Sequence, residues 1–195
     1  MKVGIMGGTF DPIHTGHLIA AQSACEQAKL DEVWFMPTNV PPHKSEAPGA
    51  SARQRWEMVA LAVEGNPRFK PVDLELKKGG VSYSIDTVKL LTQTYPGIHF
   101  YYIIGADMVQ YLPKWYKIGE LVQLVSFIGL QRPGYDVEIS SLPAEVREAL
   151  VMAQMPLMEL SSTNIRERLS RGLPVRYMVP DSVNDYIEVN RIYGS

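Results

Sequence analysis

The stretch Met1-Lys-Val-Gly-Ile-Met-Gly-Gly-Thr-Phe-Asp-Pro-Ile-His-Thr-Gly-His17 decides the fold. Val3–Met6 is a short apolar run ending on Gly7-Gly8, the pattern of a buried strand. From Thr15 to Lys29, Leu18, Ala21, Cys25 and Ala28 recur at three- and four-residue steps, which predicts a helix. Glu32–Pro37 reads as a second buried strand. Strand, helix and strand within about forty residues make a βαβ unit, with parallel pairing and a right-handed crossover.

The same alternation continues outward. Helices are predicted over Ala52–Glu64, Ser84–Thr94, Glu120–Leu124, Ala144–Ala153, Ser162–Arg171 and Asp181–Val189. Strands are predicted within Phe69–Leu76 and at Ile98–Ile104, Val125–Leu130 and Pro156–Leu160. Trp34 and Trp56 fall on apolar faces and read as core. Thr38–Ser51, with Pro41, Pro42, Pro48 and Gly49, reads as a functional loop. Alternating elements with apolar strands predict an α/β fold, a doubly wound parallel sheet with helices on both faces. A single domain over 1–195 is expected, with a small C-terminal helical part from about residue 161.

Hydrophobic residues are 46% of the chain and charged ones 21%, with a net charge of −2. No bulk basic field exists for nucleic acid, so no nucleic-acid partner is expected. The lone Cys25 excludes an intrachain disulfide and suggests a reducing compartment. No signal-like segment is seen, and no apolar run approaches the ~20 residues that span a bilayer. The expectation is a cytoplasmic protein with no membrane partner.

Chemistry concentrates where the first strand hands over to its helix, the usual ligand crevice of an open α/β sheet. Gly7 and Gly8 let the backbone approach phosphate oxygens, and the helix start presents free N–H groups. His14 and His17, three apart, can share a face and donate to a phosphate whose charge grows in a transition state. Gly16 between them leaves room, on this reading, for substrate. The pattern is neither Gly-x-Gly-x-x-Gly nor a Walker A loop. Two histidines also lack the third protein ligand of a catalytic zinc site. Asp11 reads as fixing the turn.

Gly-Gly-Thr-Phe-Asp-Pro-Ile-His-Thr-Gly-His resembles the signature of the His-x-Gly-His nucleotidylyltransferase superfamily. Ser161-Ser-Thr-Asn-Ile-Arg166 is similar to the second half of that signature. The resemblance implies a Rossmann-like domain in which Gly7, Gly8, Thr9, Phe10, His14, His17, Gly105, Asp107, Ser161, Ser162, Thr163 and Arg166 hold ATP. His14, His17 and Arg166 would be catalytic.

Over nearly the whole chain the match is to the bacterial nicotinate mononucleotide adenylyltransferases. Pro37-Thr-Asn-Val-Pro-Pro-His-Lys44, Gly80-Val-Ser-Tyr-Ser-Ile-Asp-Thr87 and Ile104-Gly-Ala-Asp107 with Leu112-Pro-Lys-Trp-Tyr116 carry it. The family implies that Lys44 lies near the mononucleotide phosphate and Ser84 receives the nicotinate carboxylate. It puts Asp107 by the riboses, Trp115 on the pyridine ring and Tyr116 beside it. Arg132 either lines the adenine or triphosphate side or belongs to a plain turn.

The implied partners are small molecules, ATP and nicotinate mononucleotide, with a homo-oligomer left open. The implied cofactor is Mg²⁺ entering with ATP, with no protein side chain as its ligand. The expected reaction is direct in-line adenylyl transfer to give nicotinate adenine dinucleotide and pyrophosphate, in NAD biosynthesis. The alternatives are a pantetheine-phosphate adenylyltransferase, a cytidylyltransferase, or a non-catalytic nucleotide-sensing module on the same fold. The Pro-Pro-His-Lys loop, Trp115 and the length of 195 argue against the first two.

Overall fold

Six apolar strands pair into one parallel sheet in the order β3-β2-β1-β4-β5-β6 in the computed structural model, which describes residues 1–40, 47–131, 134 and 137–194. The strands are β1 (Lys2–Gly8), β2 (Glu32–Pro37), β3 (Phe69–Pro71), β4 (His99–Gly105), β5 (Ser126–Gln131) and β6 (Leu150–Gln154). Helices α1 (Thr15–Gln27), α2 (Ala52–Val63), α3 (Leu74–Lys78) and α4 (Ser84–Thr94) fall in the first half. The rest are α5 (Ala106–Val109), α6 (Ile118–Leu121), α7 (Ala144–Glu148), α8 (Ser162–Ser170) and α9 (Asp181–Val189).

The two-residue period of the strands builds two cores, one on each face. Val3 and Ile5 of β1 join Trp34, Phe100, Tyr102 and Phe127 beneath α4. Met6, one residue on, turns to the opposite face with Phe35, Ile103 and Ile128. Ile165 and Leu169 of α8 and Val183 and Ile187 of α9 belong to that same second core. Strand order reverses between β1 and β4, so a crevice opens at their carboxyl ends.

Three expectations are corrected. Ala144–Ala153 is not one helix: α7 stops at Glu148, and Leu150–Gln154 pairs with β5 as the edge strand. Ala-Leu-Val-Met-Ala suits a helix locally, and the free edge of β5 overrides that preference. Pro156–Leu160 is then an irregular segment rather than a strand. On α2 the buried residues are Arg55, Met58, Val59 and Val63, so Val59 and Val63 face the core as expected, while Trp56 is half-buried and Arg55 lies inside. Phe69–Leu76, expected to hold one or two strands, holds the short β3, followed by α3. Among the described residues, no helix is long and apolar enough to cross a membrane.

Candidate active site

A cavity of about 760 Å³ occupies the β1/β4 crevice. That volume suits a ligand of nucleotide size. Gly7, Gly8, Thr9, His14 and His17 line it from β1 and the start of α1.

His14 caps α1 in an extended conformation. Its backbone N–H donates to His17 Nδ1 at 3.2 Å, and the His17 N–H donates to the His14 carbonyl at 2.9 Å. The two rings stack at 3.7 Å with 25° between their planes. With Nδ1 accepting, neutral His17 carries its proton on Nε2, where it can donate to a ligand. Burial lowers His14 to about 4, only partly offset by its backbone hydrogen bond. Burial, and then the neighbouring His14, lower His17 well below its ordinary value. Both are therefore uncharged donors at neutral pH in the free site.

Gly16 lines the cavity and has a structural role as well. A Cβ there would come within 3.0 Å of His14 Nδ1, so it makes room for the His14 ring. A Cβ on Gly7 would meet the Tyr102 hydroxyl at 2.9 Å, which ties the glycine pair to β4.

The turn between β1 and α1 is held by Asp11 and by Arg55, a charge that the sequence did not single out. Arg55 is 1% exposed and donates through Nη1 to the carbonyls of Thr9 at 2.7 Å and Thr38 at 2.8 Å. Asp11 Oδ2 accepts from the Gly49 N–H at 2.8 Å, and Oδ1 accepts from the Ala50 N–H at 2.9 Å and the Tyr193 hydroxyl at 2.7 Å. Asp11 thus fixes the turn, as expected. Phe10 is buried, sets its ring edge-on to His17 at 5.0 Å, and does not line the cavity.

Ser161, Ser162, Thr163 and Arg166 close the same end of the cavity. The cap of α8 is Ser161, whose hydroxyl accepts the Asn164 N–H at 3.1 Å. Ser162 instead donates its hydroxyl to the Pro12 carbonyl at 2.8 Å. It offers a ligand its backbone N–H at the helix start rather than its side chain. Arg166 Nη1 donates to the Asp11 carbonyl at 2.9 Å and lies 3.8 Å from Oδ2, and the side chain stays one-third exposed. Its Nη2 donates to the Thr163 hydroxyl at 3.4 Å, and the residue lines the cavity together with the two histidines.

The other end is aromatic, and Lys114 lines it as well. Tyr83 caps α4 without a side-chain hydrogen bond, so the first N–H groups of α4, at Ser84 and Ile85, stay open. Trp115 packs edge-on against Tyr102 at 5.7 Å and Phe127 at 6.0 Å and is partly buried. Tyr116 lies 5.0 Å from the Tyr83 ring. Ser84, Trp115, Tyr116 and Gly105 all line the cavity. Asp107 is exposed just past the end of β4 and is not among the lining residues. Lys44 and Arg132 lie outside the described residues. Tyr102, Met158 and Leu160 also line the cavity and went unnoticed in the sequence, where they look like ordinary apolar positions.

A family model described as cytidylyltransferase-like matches residues 5–168. The nicotinate-nucleotide adenylyltransferase of Bacillus subtilis is 48% identical over 100% of this chain and 99% of its own length. The probable nicotinate-nucleotide adenylyltransferase of Oceanobacillus iheyensis is 46% identical over 99% of this chain and 97% of its own. Among solved structures, the Plasmodium falciparum nicotinic acid mononucleotide adenylyltransferase complexed with NaAD superposes with a TM-score of 0.75. It covers 98% of this chain and 97% of that one at 19% identity, a likeness of fold. With the whole chain matched at close to half identity, this protein belongs to the cytidylyltransferase-like family and, within it, to the nicotinate-nucleotide adenylyltransferases.

Proposed function

We propose that the chain joins ATP and nicotinate mononucleotide into nicotinate adenine dinucleotide, releasing pyrophosphate. The observation that carries this reading is one cavity with two different ends. One end has two stacked histidines, an arginine and the start of α8, a set suited to a polyphosphate. The other pairs a partly buried tryptophan that lines the cavity with an open helix start, a set suited to a flat ring bearing a carboxylate.

A phosphate oxygen of the mononucleotide attacks the α-phosphorus of ATP. A new P–O bond forms, the bond to the bridging oxygen breaks, and pyrophosphate leaves with that electron pair. The nucleophile is already an anion, so no general base is required. The chain aligns the reactants and stabilises charge on the transferring phosphoryl group. His17 Nε2–H and His14 supply donors, and Arg166 with the α8 N–H groups receives the pyrophosphate side. Gly7, Gly8, Thr9, Ser161 and Thr163 shape the ATP end, and Ser84, Trp115 and Tyr116 the acceptor end. Mg²⁺ enters as part of the MgATP substrate. No group of three or more His, Cys, Asp or Glu side chains gathers as a metal cage among the described residues, and magnesium bound largely by phosphate and water needs none.

A pyrophosphate-release assay with MgATP tests this. Nicotinate mononucleotide, nicotinamide mononucleotide and pantetheine phosphate are compared as acceptors. Fastest release is expected with nicotinate mononucleotide. Release that is faster with pantetheine phosphate, or absent with every acceptor, refutes the reading.

A further inference from the structure

Glu75 is a buried carboxyl that the reaction scheme leaves unused. It is 2% exposed, on α3, directly behind the acceptor end of the cavity. Its Oε1 accepts the Thr87 hydroxyl at 2.7 Å, while Oε2 is buried without a hydrogen-bond partner. Two of its neighbours reach the cavity. The Ser82 hydroxyl lies near the carboxyl and Tyr102 lies close enough to feel its charge, and both line the cavity.

Ser82 is the point where two segments are laced together. Its hydroxyl accepts the Asn39 N–H at 3.2 Å, and its own N–H donates to the Val40 carbonyl at 2.9 Å. Asn39 Nδ2 donates to the Gly80 carbonyl at 3.0 Å. These bonds fix the approach to α4. Thr87, one turn into α4, is fixed by Glu75 directly. Glu75 thus braces the helix start through Thr87 within it, beside the laced segment at Ser82.

We propose that Glu75 is a positioning residue for acceptor recognition, setting through Thr87 the α4 start that receives the acceptor's anionic group. The proposal rests on the adenylyl-transfer reading above. The site of an acceptor carboxylate is a poor place for a second negative charge. Burial favours the neutral acid and pushes the Glu75 carboxyl up. The ionisable groups bearing on it are Lys78 of α3 and Tyr102 of β4. Lys78 is itself drawn to Asp86 of α4, 4.0 Å away. In its neutral form, which burial favours, Glu75 braces the site without repelling the acceptor. When it ionises at higher pH, it repels an acid acceptor and leaves an amide acceptor unaffected.

The test measures kcat and KM at saturating MgATP with nicotinate and with nicotinamide mononucleotide. Wild type, Glu75→Gln and Glu75→Ala are compared from about pH 6 to 9, a span covering known buried glutamates. In wild type the KM for nicotinate mononucleotide is expected to climb several-fold at the alkaline end, with kcat level. Glu75→Gln, neutral at every pH, is expected to keep the neutral-pH KM and to abolish the climb. Glu75→Ala is expected to raise that KM by about tenfold, equivalent to one net hydrogen bond, and to affect the amide acceptor less. Identical pH profiles in wild type and Glu75→Gln overturn the proposal. So does a Glu75→Ala loss shared equally by both acceptors. If Glu75→Ala does not fold, the Glu75→Gln profile decides alone. Wild-type turnover on neither acceptor refutes the adenylyl-transfer reading and this proposal with it. Normal wild-type turnover without the Glu75 effects refutes this proposal only.

Discussion

Acid should weaken this protein through its two site histidines before its carboxylates matter. His14 titrates at about 4 in the folded chain against an ordinary 6.5, and His17 is lowered as well. Between those values the unfolded chain binds more protons than the folded one. Stability is therefore whole above about pH 6.5 and falls as pH drops toward about 4. Each pH unit in that window removes about 1.4 kcal/mol per histidine, so His14 alone removes about 2.5 kcal/mol by about pH 4.5. Against a domain stability of roughly 5–15 kcal/mol that is a large fraction. His17 adds to it in the same direction. Urea unfolding, followed by far-ultraviolet circular dichroism at about pH 7.5, 6.5, 5.5 and 4.5, measures the loss. The comparison is His14→Gln/His17→Gln, whose side chains do not titrate. The variant is expected to show a much shallower fall from about pH 6.5 to 4.5, whatever its stability at pH 7.5. Parallel falls in the two proteins would refute the claim that burial holds these histidines neutral.

Replacing His17 with Ala removes one donor aimed at the phosphates and should cut kcat by about 10²–10³ while circular dichroism stays that of the wild type. Near-normal turnover would remove His17 from the mechanism. Arg55→Met leaves the carbonyls of Thr9 and Thr38 without their donor and should cost about 3–5 kcal/mol in urea unfolding. A loss below about 1 kcal/mol, no more than a surface pair, would show that the arginine does not hold the turn. Gly16→Ala pushes a methyl against the His14 ring, 3.0 Å away. Steady-state kinetics should show a drop in kcat of about tenfold or more, in line with a displaced catalytic group, at nearly unchanged stability. Unchanged kcat would mean that the histidine stack yields freely.

Where local pattern and tertiary structure agree, the sequence could be read to the residue. β2, α4 and α9 have the predicted bounds because dense apolar or amphipathic runs meet clear breakers at both ends. The phosphate end of the site was legible for the same reason, since the Gly-Gly turn, His14 and His17 are contiguous. β6 was not, because Leu150–Gln154 becomes a strand only when β5 offers it an edge. Arg55 and Glu75 were also hidden. A charged residue on a helix normally reads as a solvated face, and only long-range hydrogen bonds, such as Arg55 to Thr9, bring these two inside. Ser162 shows a subtler limit. The motif marked the helix start correctly, but its hydroxyl is spent on the Pro12 carbonyl, 150 positions away.

The Asp11 carboxylate joins points at very different places along the chain. It accepts from Gly49, Ala50 and Tyr193, the last of them 182 positions away. During synthesis, the phosphate-binding turn leaves the ribosome long before Tyr193 does. Its anchoring is complete only once residue 193 has followed. The nascent chain can form β1, α1 and β2 early, but the turn lacks its full set of anchors until residue 193 has been made. Premature termination would then yield a chain with much of its sheet but with the floor of the site loose. Such a fragment is poorly placed to sequester ATP.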